Sequence, residues 1–259
     1  MTDFGANPSF FDLVRATGSD PMQMPVSGDE PPAQLPPHGT TVVALRFHGG
    51  VVMAGDRRAV EGYAIADERM EKVFPADDHS VVGIAGVAAQ AVELVKLFQT
   101  ELEHYEKVEG ETLSLEGKAN RLAQMIRGSM PLVMQGLVVV PIYGGFDTRR
   151  DEGRIFRYDA IGGRYEEADY NATGSGSRDA KASLKKRWRS GMARQEAVEA
   201  AVESLLDASE ADTATGGPDP VRGIFPSLYL VTAEGVDEVP AEEVRLAFEA
   251  VVARREGSS

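Results

Sequence analysis

This sequence predicts an α+β fold in which antiparallel sheets pack between outer layers of helix. Three observations carry the expectation. Strand-like runs come in blocks separated by pairs of helices, which argues against a parallel strand–helix–strand sheet. Hydrophobic residues make up 42% of the 259 positions, ample for a buried core. Beyond Thr40 no internal repeat and no composition shift marks a second domain.

Seven of the fourteen prolines, Pro8, Pro21, Pro25, Pro31, Pro32, Pro36 and Pro37, fall within residues 1–39. Only Phe10 to Arg15 could form a short helix there, so this leader is expected to be mostly extended and poorly ordered alone. At Thr40 the texture changes. Thr41 to Phe47 and Val51 to Asp56 read as strands joined by His48-Gly49-Gly50, a hairpin signal. Shorter strand-like runs follow at Gly62 to Ala66, Lys72 to Pro75 and Ser80 to Ile84.

Two helices come next. Ala91, Val95, Phe98, Leu102 and Tyr105 recur at spacings of 4, 3, 4 and 3, the stripe of one helix face. A second helix, about Leu115 to Met130, carries Ala119, Leu122, Ile126 and Met130 on its face and ends before Gly136. Strands return at Leu137 to Phe146, Arg154 to Asp159 and Glu166 to Ala172. Two more helices cover Asp179 to Ser190 and Gln195 to Ala211, the latter striped by Val198, Val202, Leu205 and Leu206. A strand at Ser227 to Thr232 and a helix at Ala241 to Arg255 close the chain.

Composition narrows the chemistry. With 41 acidic against 27 basic residues the net charge is -14, opposite to the footprint of a nucleic-acid binder. Lys185, Lys186, Arg187 and Arg189 around Trp188 are therefore read as a solvated or subunit-contact face. No cysteine is present, which removes disulfides, thiolate nucleophiles and cysteine-bound zinc. His38, His48, His79 and His104 are too scattered to suggest a metal site, so neither metal nor organic cofactor is expected. No apolar run approaches the roughly 20 residues a membrane helix needs, and no secretory signal is evident. A cytoplasmic location follows as the expectation.

The string "PPHGTTVVAL" at residues 36–45 places Gly39 and two threonines where the proline-rich leader meets the first strand. A threonine hydroxyl is a weak nucleophile unless a base lies beside it, and the α-amino group of the same residue can be that base. Its reference pKa, about 7.7–8.0, lies close to ambient pH. Such chemistry requires the threonine at the N-terminus. Removal of a leader ending at Gly39 would supply it, because glycine has no Cβ to crowd attack on its carbonyl by the Thr40 hydroxyl.

Together with "GTTVVAL", the ordered motifs "GGVVMAGDRR", "KVF", "GIAG", "GSGS" and "EADTATGGPD" make residues 40 to 240 resemble the β-subunit of the 20S proteasome, of the actinobacterial type. That family belongs to the N-terminal-nucleophile hydrolases. The resemblance implies a four-layer αββα sandwich, with residues 1–39 a propeptide removed on maturation and residues 40–259 the catalytic domain. It implies Thr40 as nucleophile and its freed amine as base, with Asp56 of "GDRR" and Lys72 of "EKVF" beside it. An ammonium nearby favours deprotonated neighbours, and a carboxylate keeps the lysine charged and fixed. Gly86 of "GIAG" would offer its N–H to a developing oxyanion. Ser175 of "GSGS", with Asp212 and Thr215 of "DTATGG", matches the positions that support the amine, Thr215 standing where many members carry serine. "GSGS" lacks the rest of a phosphate-binding fingerprint.

By family position the specificity pocket would be lined by Ala59, Met70, Ile84 and Ala88, with Val60 pairing along the substrate as an added strand. Those side chains are uncharged, so cleavage after hydrophobic residues is expected. The resemblance further implies a homo-heptameric β ring stacked on a second β ring between α-subunit rings, fed with unfolded protein by an ATPase or other activator. Two alternatives stay open: an inactive structural ring subunit that keeps its leader, and another N-terminal-nucleophile peptidase, which "GDRR" and the long leader disfavour.

Overall fold

The computed structural model describes residues 39–61 and 64–257. The leader helix expected at Phe10 to Arg15 lies outside them. The chain opens with the hairpin β1 (Thr41–Phe47) and β2 (Gly50–Gly55). Phe47 pairs with Gly50, leaving His48 and Gly49 as a two-residue turn in which Gly49 takes φ +100°. Next come β3 (Ala59–Glu61), β4 (Ala64–Asp67), β5 (Val73–Asp77) and β6 (Ser80–Gly86). Helices α1 (Ala88–Glu109), α2 (Leu115–Gly128) and the single turn α3 (Met130–Val133) follow. Strands β7 (Val139–Asp147), β8 (Glu152–Tyr158), β9 (Arg164–Glu167) and β10 (Tyr170–Gly174) lead to α4 (Ser177–Arg187) and α5 (Arg194–Ala211). Strands β11 (Ser227–Thr232) and β12 (Gly235–Glu238) and helix α6 (Ala241–Glu256) complete it.

Two five-stranded antiparallel sheets result, in the orders β10-β1-β2-β11-β12 and β5-β6-β7-β8-β9, with β3 and β4 as a separate ribbon. Alternation along β1 explains the layering. Val42 and Ala44 point between the sheets, where they meet Met53, Val81, Ile142 and Ile155. Val43 and Leu45 point the other way, into the core shared with α4, α5 and α6. On the far side, Val82 and Tyr143 pack with Phe98 of α1 and Leu122 of α2. Helix, sheet, sheet and helix are thus stacked in four layers, each sheet buried on both faces. Full burial of a side chain such as Leu122 contributes about 1.5–3 kcal/mol.

Three boundaries differ from the sequence expectation. Glu166 to Ala172 reads as one strand, yet it breaks at Ala168 and Asp169: β9 pairs with β8, and β10 pairs with β1 of the other sheet. No glycine or proline marks the crossover; it is held instead by Arg46 N–H donating to Asp169 O at 2.9 Å. The second helix ends at Gly128, with Ser129 separating α2 from α3 and Pro131 inside that last turn. Strand β12 was not anticipated, because Gly235–Glu238 is polar and only partly buried.

Candidate active site

Thr40 precedes the first residue of β1 and is 6% exposed. Because Asp56 follows β2 directly, the hairpin brings it back beside the start of β1: Asp56 N–H donates to Thr41 O at 3.0 Å. Its carboxylate is fully buried and accepts four hydrogen bonds. Oδ1 takes Thr41 N–H at 2.7 Å and Lys72 Nζ at 2.7 Å, while Oδ2 takes Arg58 N–H at 2.9 Å and Gly216 N–H at 2.8 Å. Four donors match the four lone-pair sites of an ionised carboxylate.

Lys72, just before β5 and 1% exposed, also donates to Arg58 O at 2.5 Å. Burial pushes its ammonium below the usual lysine range; the charge and hydrogen bond of Asp56 oppose the shift, Arg58 adds to it, and Asp212 opposes it. The ion pair reaches Thr40 through the amide of its neighbour Thr41.

A second cradle holds the other side of Thr40. Ser175, one residue beyond β10, donates its N–H to Thr40 O at 2.9 Å, and its hydroxyl lies 3.4 Å from the Thr40 nitrogen. Asp212, capping the end of α5, accepts Ser175 Oγ at 2.5 Å and Thr215 Oγ1 at 2.6 Å on one oxygen and Ala214 N–H at 3.1 Å on the other. Burial alone would raise the Asp212 pKa, but the two hydroxyls, Ala214 N–H and the Lys72 charge hold it below the ordinary aspartate value. Gly174 lets β10 come this close: at φ +101°, a Cβ there would sit 1.8 Å from Thr40 O.

Gly39 is still bonded to Thr40, so the nitrogen is an amide and not a base. The Thr40 hydroxyl donates to Gly39 O at 2.7 Å, next to the carbonyl carbon it would attack. A Cβ on Gly39 would fall 2.0 Å from the Ala214 side chain and 2.5 Å from its carbonyl oxygen, so only glycine fits.

Hydrogen bonds thus gather Thr40, Asp56, Lys72, Ser175, Asp212 and Thr215 from five separate stretches of chain. The remaining predicted residues stand around this group. Gly86 ends β6 at φ +124°, where a Cβ would strike Val138 O at 2.0 Å. Ile84, on the same strand, donates its N–H to Lys72 O at 2.9 Å, and its side chain packs under α1 at 2% exposure. Ala88 begins α1, Ala59 and Val60 form β3, and Met70 donates its N–H to Arg57 O at 3.0 Å; all four are partly exposed. The sequence reading missed the main chain of Arg58, which grips both Asp56 and Lys72. Its position two residues after Asp56 in "GDRR" was the available signal. Ala214, which limits residue 39, carried none. Among the described residues, no group of three or more His, Asp or Glu side chains is placed to hold a metal.

Comparison with known proteins points one way. Residues 37–221 match the family described as proteasome subunit. A protein named proteasome subunit beta from Acidimicrobium ferrooxidans is 57% identical over 251 residues, covering 96% of this chain and 91% of its own. Another of that name, from Stackebrandtia nassauensis, is 50% identical over 254 residues, covering 95% and 90%.

Proposed function

Because this chain belongs to the proteasome subunit family, as a β-type subunit of the 20S particle and hence a peptidase, we propose that its activity resides in Thr40 once Gly39 has been cut away. The observation that carries this reading is the Thr40 hydroxyl held against the Gly39 carbonyl, between the Asp56–Lys72 pair and the Ser175–Asp212–Thr215 cradle.

Maturation proceeds by attack of Thr40 Oγ1 on the Gly39 carbonyl carbon. The Gly39–Thr40 C–N bond breaks, its electrons take a proton on nitrogen, and an ester forms on Oγ1. Water then hydrolyses the ester, releasing residues 1–39 with a Gly39 carboxylate and restoring the hydroxyl beside a new α-amine. In catalysis that amine takes the hydroxyl proton as Oγ1 attacks a peptide carbonyl. The Gly86 N–H offers a hydrogen bond to the tetrahedral oxyanion, worth about 3 kcal/mol in comparable sites. Collapse passes the proton to the leaving amine, and water clears the acyl ester. Lys72, kept charged by Asp56, favours the deprotonated forms of Thr40.

Residues 1–39 act as the propeptide and 40–259 as the catalytic domain. Cleavage falls after hydrophobic residues, set by Ala59, Met70, Ile84 and Ala88, with Val60 pairing to the substrate strand. As a proteasome subunit the chain assembles into proteasome complexes. The finer reading is a heptameric β ring stacked on a second, enclosed by α rings, supplied with unfolded protein by an activator, in the cytoplasm. No helix among the described residues is long and apolar enough to cross a membrane.

The test is peptide hydrolysis by assembled wild type, Thr40→Ala and Thr40→Ser. Activity in wild type, its loss in the alanine variant and partial retention in the serine variant support the reading. Equal activity of wild type and Thr40→Ala would sink it.

A further inference from the structure

Thr41 carries a hydroxyl that the peptidase chemistry leaves unused, and the residue is wholly buried. Its Oγ1 accepts Gly176 N–H at 2.9 Å and lies 2.6 Å from Thr215 Oγ1. Thr215 Oγ1 in turn lies 2.6 Å from Asp212 Oδ2, which also meets Ser175 Oγ at 2.5 Å. A hydroxyl has one proton to give, and an ionised carboxylate has none. Thr215 and Ser175 therefore both direct their protons to Asp212. Thr215 has only lone pairs left for Thr41, so Thr41 is the donor between them. Ser175, whose proton goes to Asp212 at 2.5 Å in preference to Thr40 O at 3.4 Å, has only lone pairs left for the Thr40 nitrogen and accepts from it. A single orientation remains along the whole chain of bonds.

We propose that Thr41 is a positioning residue for the reaction at Thr40: by donating to Thr215 it polarises that hydroxyl and strengthens its hydrogen bond to Asp212, and through Asp212 and Ser175 it fixes where the Thr40 nitrogen points its hydrogen and its lone pair. The proposal rests on the reading of the freed Thr40 amine as the base. Valine has the same shape as threonine and favours strands at least as well, so the strand itself does not need the hydroxyl. What valine removes is the acceptor for Gly176 N–H and the donor that strengthens the Thr215 bond to Asp212.

The charged groups around the network come from three places: Asp56 and Arg58 after β2, Lys72 before β5 and Asp212 after α5. None is altered by a change at Thr41. Without the Thr41 proton, Thr215 is a weaker donor to Asp212, and Asp212 carries more uncompensated charge beside the amine. The amine then holds its own proton more tightly.

The test is the pH–rate profile of the mature, assembled enzyme with a fluorogenic peptide, for wild type, Thr41→Val and Thr41→Ser. For the valine variant we expect kcat lower by about ten-fold and the acid limb of kcat/KM moved up by about half a pH unit, both on the scale of one net neutral hydrogen bond. The serine variant should restore both. A wild-type profile in Thr41→Val overturns the proposal, as does a serine variant as impaired as valine. If Thr41→Val does not assemble, Thr41→Cys takes its place, because its thiol is a weak donor of similar size. An upward shift there supports the proposal, and a wild-type profile overturns it. Failure of the underlying reading looks different: Thr40→Ala would then match wild type, whatever the Thr41 variants do.

Discussion

Replacing Gly39 with alanine should stall maturation without harming the mature enzyme. The added Cβ falls 2.0 Å from Ala214 Cβ, whereas carbon atoms in contact sit at about 3.5–4.0 Å, so a shift of at least about 1.5 Å is forced. Ala214 cannot give way freely, since its N–H is bonded to Asp212 and the preceding Thr213 O to Arg58 at 2.9 Å. If residue 39 moves instead, the 2.7 Å bond between Thr40 Oγ1 and Gly39 O is lost. A displacement near 1 Å at a reacting centre costs on the order of 100-fold in rate, and self-cleavage should slow by about that factor. Removing the Ala214 side chain should relieve the block only in part, because its carbonyl oxygen still lies 2.5 Å from the new Cβ. The assay is the fraction of chains cut after Gly39 over time in assembled particles, with Thr40→Ala as the zero. A chain produced to begin at Thr40 should be fully active regardless. Cleavage of Gly39→Ala at the wild-type rate would refute the steric argument.

Four further outcomes are expected. Asp56→Ala, made in a Thr40→Ala background, strands the Lys72 ammonium at 1% exposure and should lower unfolding free energy by about 3–5 kcal/mol, read from denaturant midpoints. Leu122→Ala, between α2 and its sheet, should cost about 2–5 kcal/mol in the same assay; a loss below 1 kcal/mol would contradict the burial reported. Glu166 is held below the ordinary glutamate value by its hydrogen bonds to Arg154, against the opposing effect of burial. Its contribution is therefore complete above about pH 4.5 and fades as pH falls through the lowered value, so the stability gap between wild type and Glu166→Gln should narrow below pH 4.5. Among fluorogenic peptides, those with leucine or tyrosine before the cut should be hydrolysed faster than acidic or basic ones. Preference for a charged residue would disprove the pocket assignment.

Much of the fold was legible because its signals are local. The stripe Ala91, Val95, Phe98 and Leu102 became the buried face of α1, and His48-Gly49 became the first turn. The crossover at Ala168 and Asp169 was not legible. Which sheet a strand joins is decided by pairing with distant β1, and no turn residue announces the change. The site divides in the same way. The resemblance pointed to Thr40, Asp56 and Lys72 through motifs close to strand ends, and the β1–β2 hairpin is what brings the first two together. Two constraints were invisible because they join segments far apart in sequence: Ala214 against Gly39, and the Thr41–Thr215 bond, whose partners are 174 positions apart. "GSGS" and "TGG" carried their signal as glycines, but the reason, close passage of backbone past Thr40 and Asp56, required the tertiary structure.

The central claim is that Thr40 cuts its own leader and becomes the N-terminal nucleophile. Intact mass of this chain after co-assembly with an α-type subunit, beside Thr40→Ala, tests it most directly. The account predicts a wild-type mass lowered by residues 1–39 and a variant that stays at its full length near 27.8 kDa. A wild-type chain still near 27.8 kDa in assembled, peptide-hydrolysing rings would contradict it, because the amine that serves as base would never have formed.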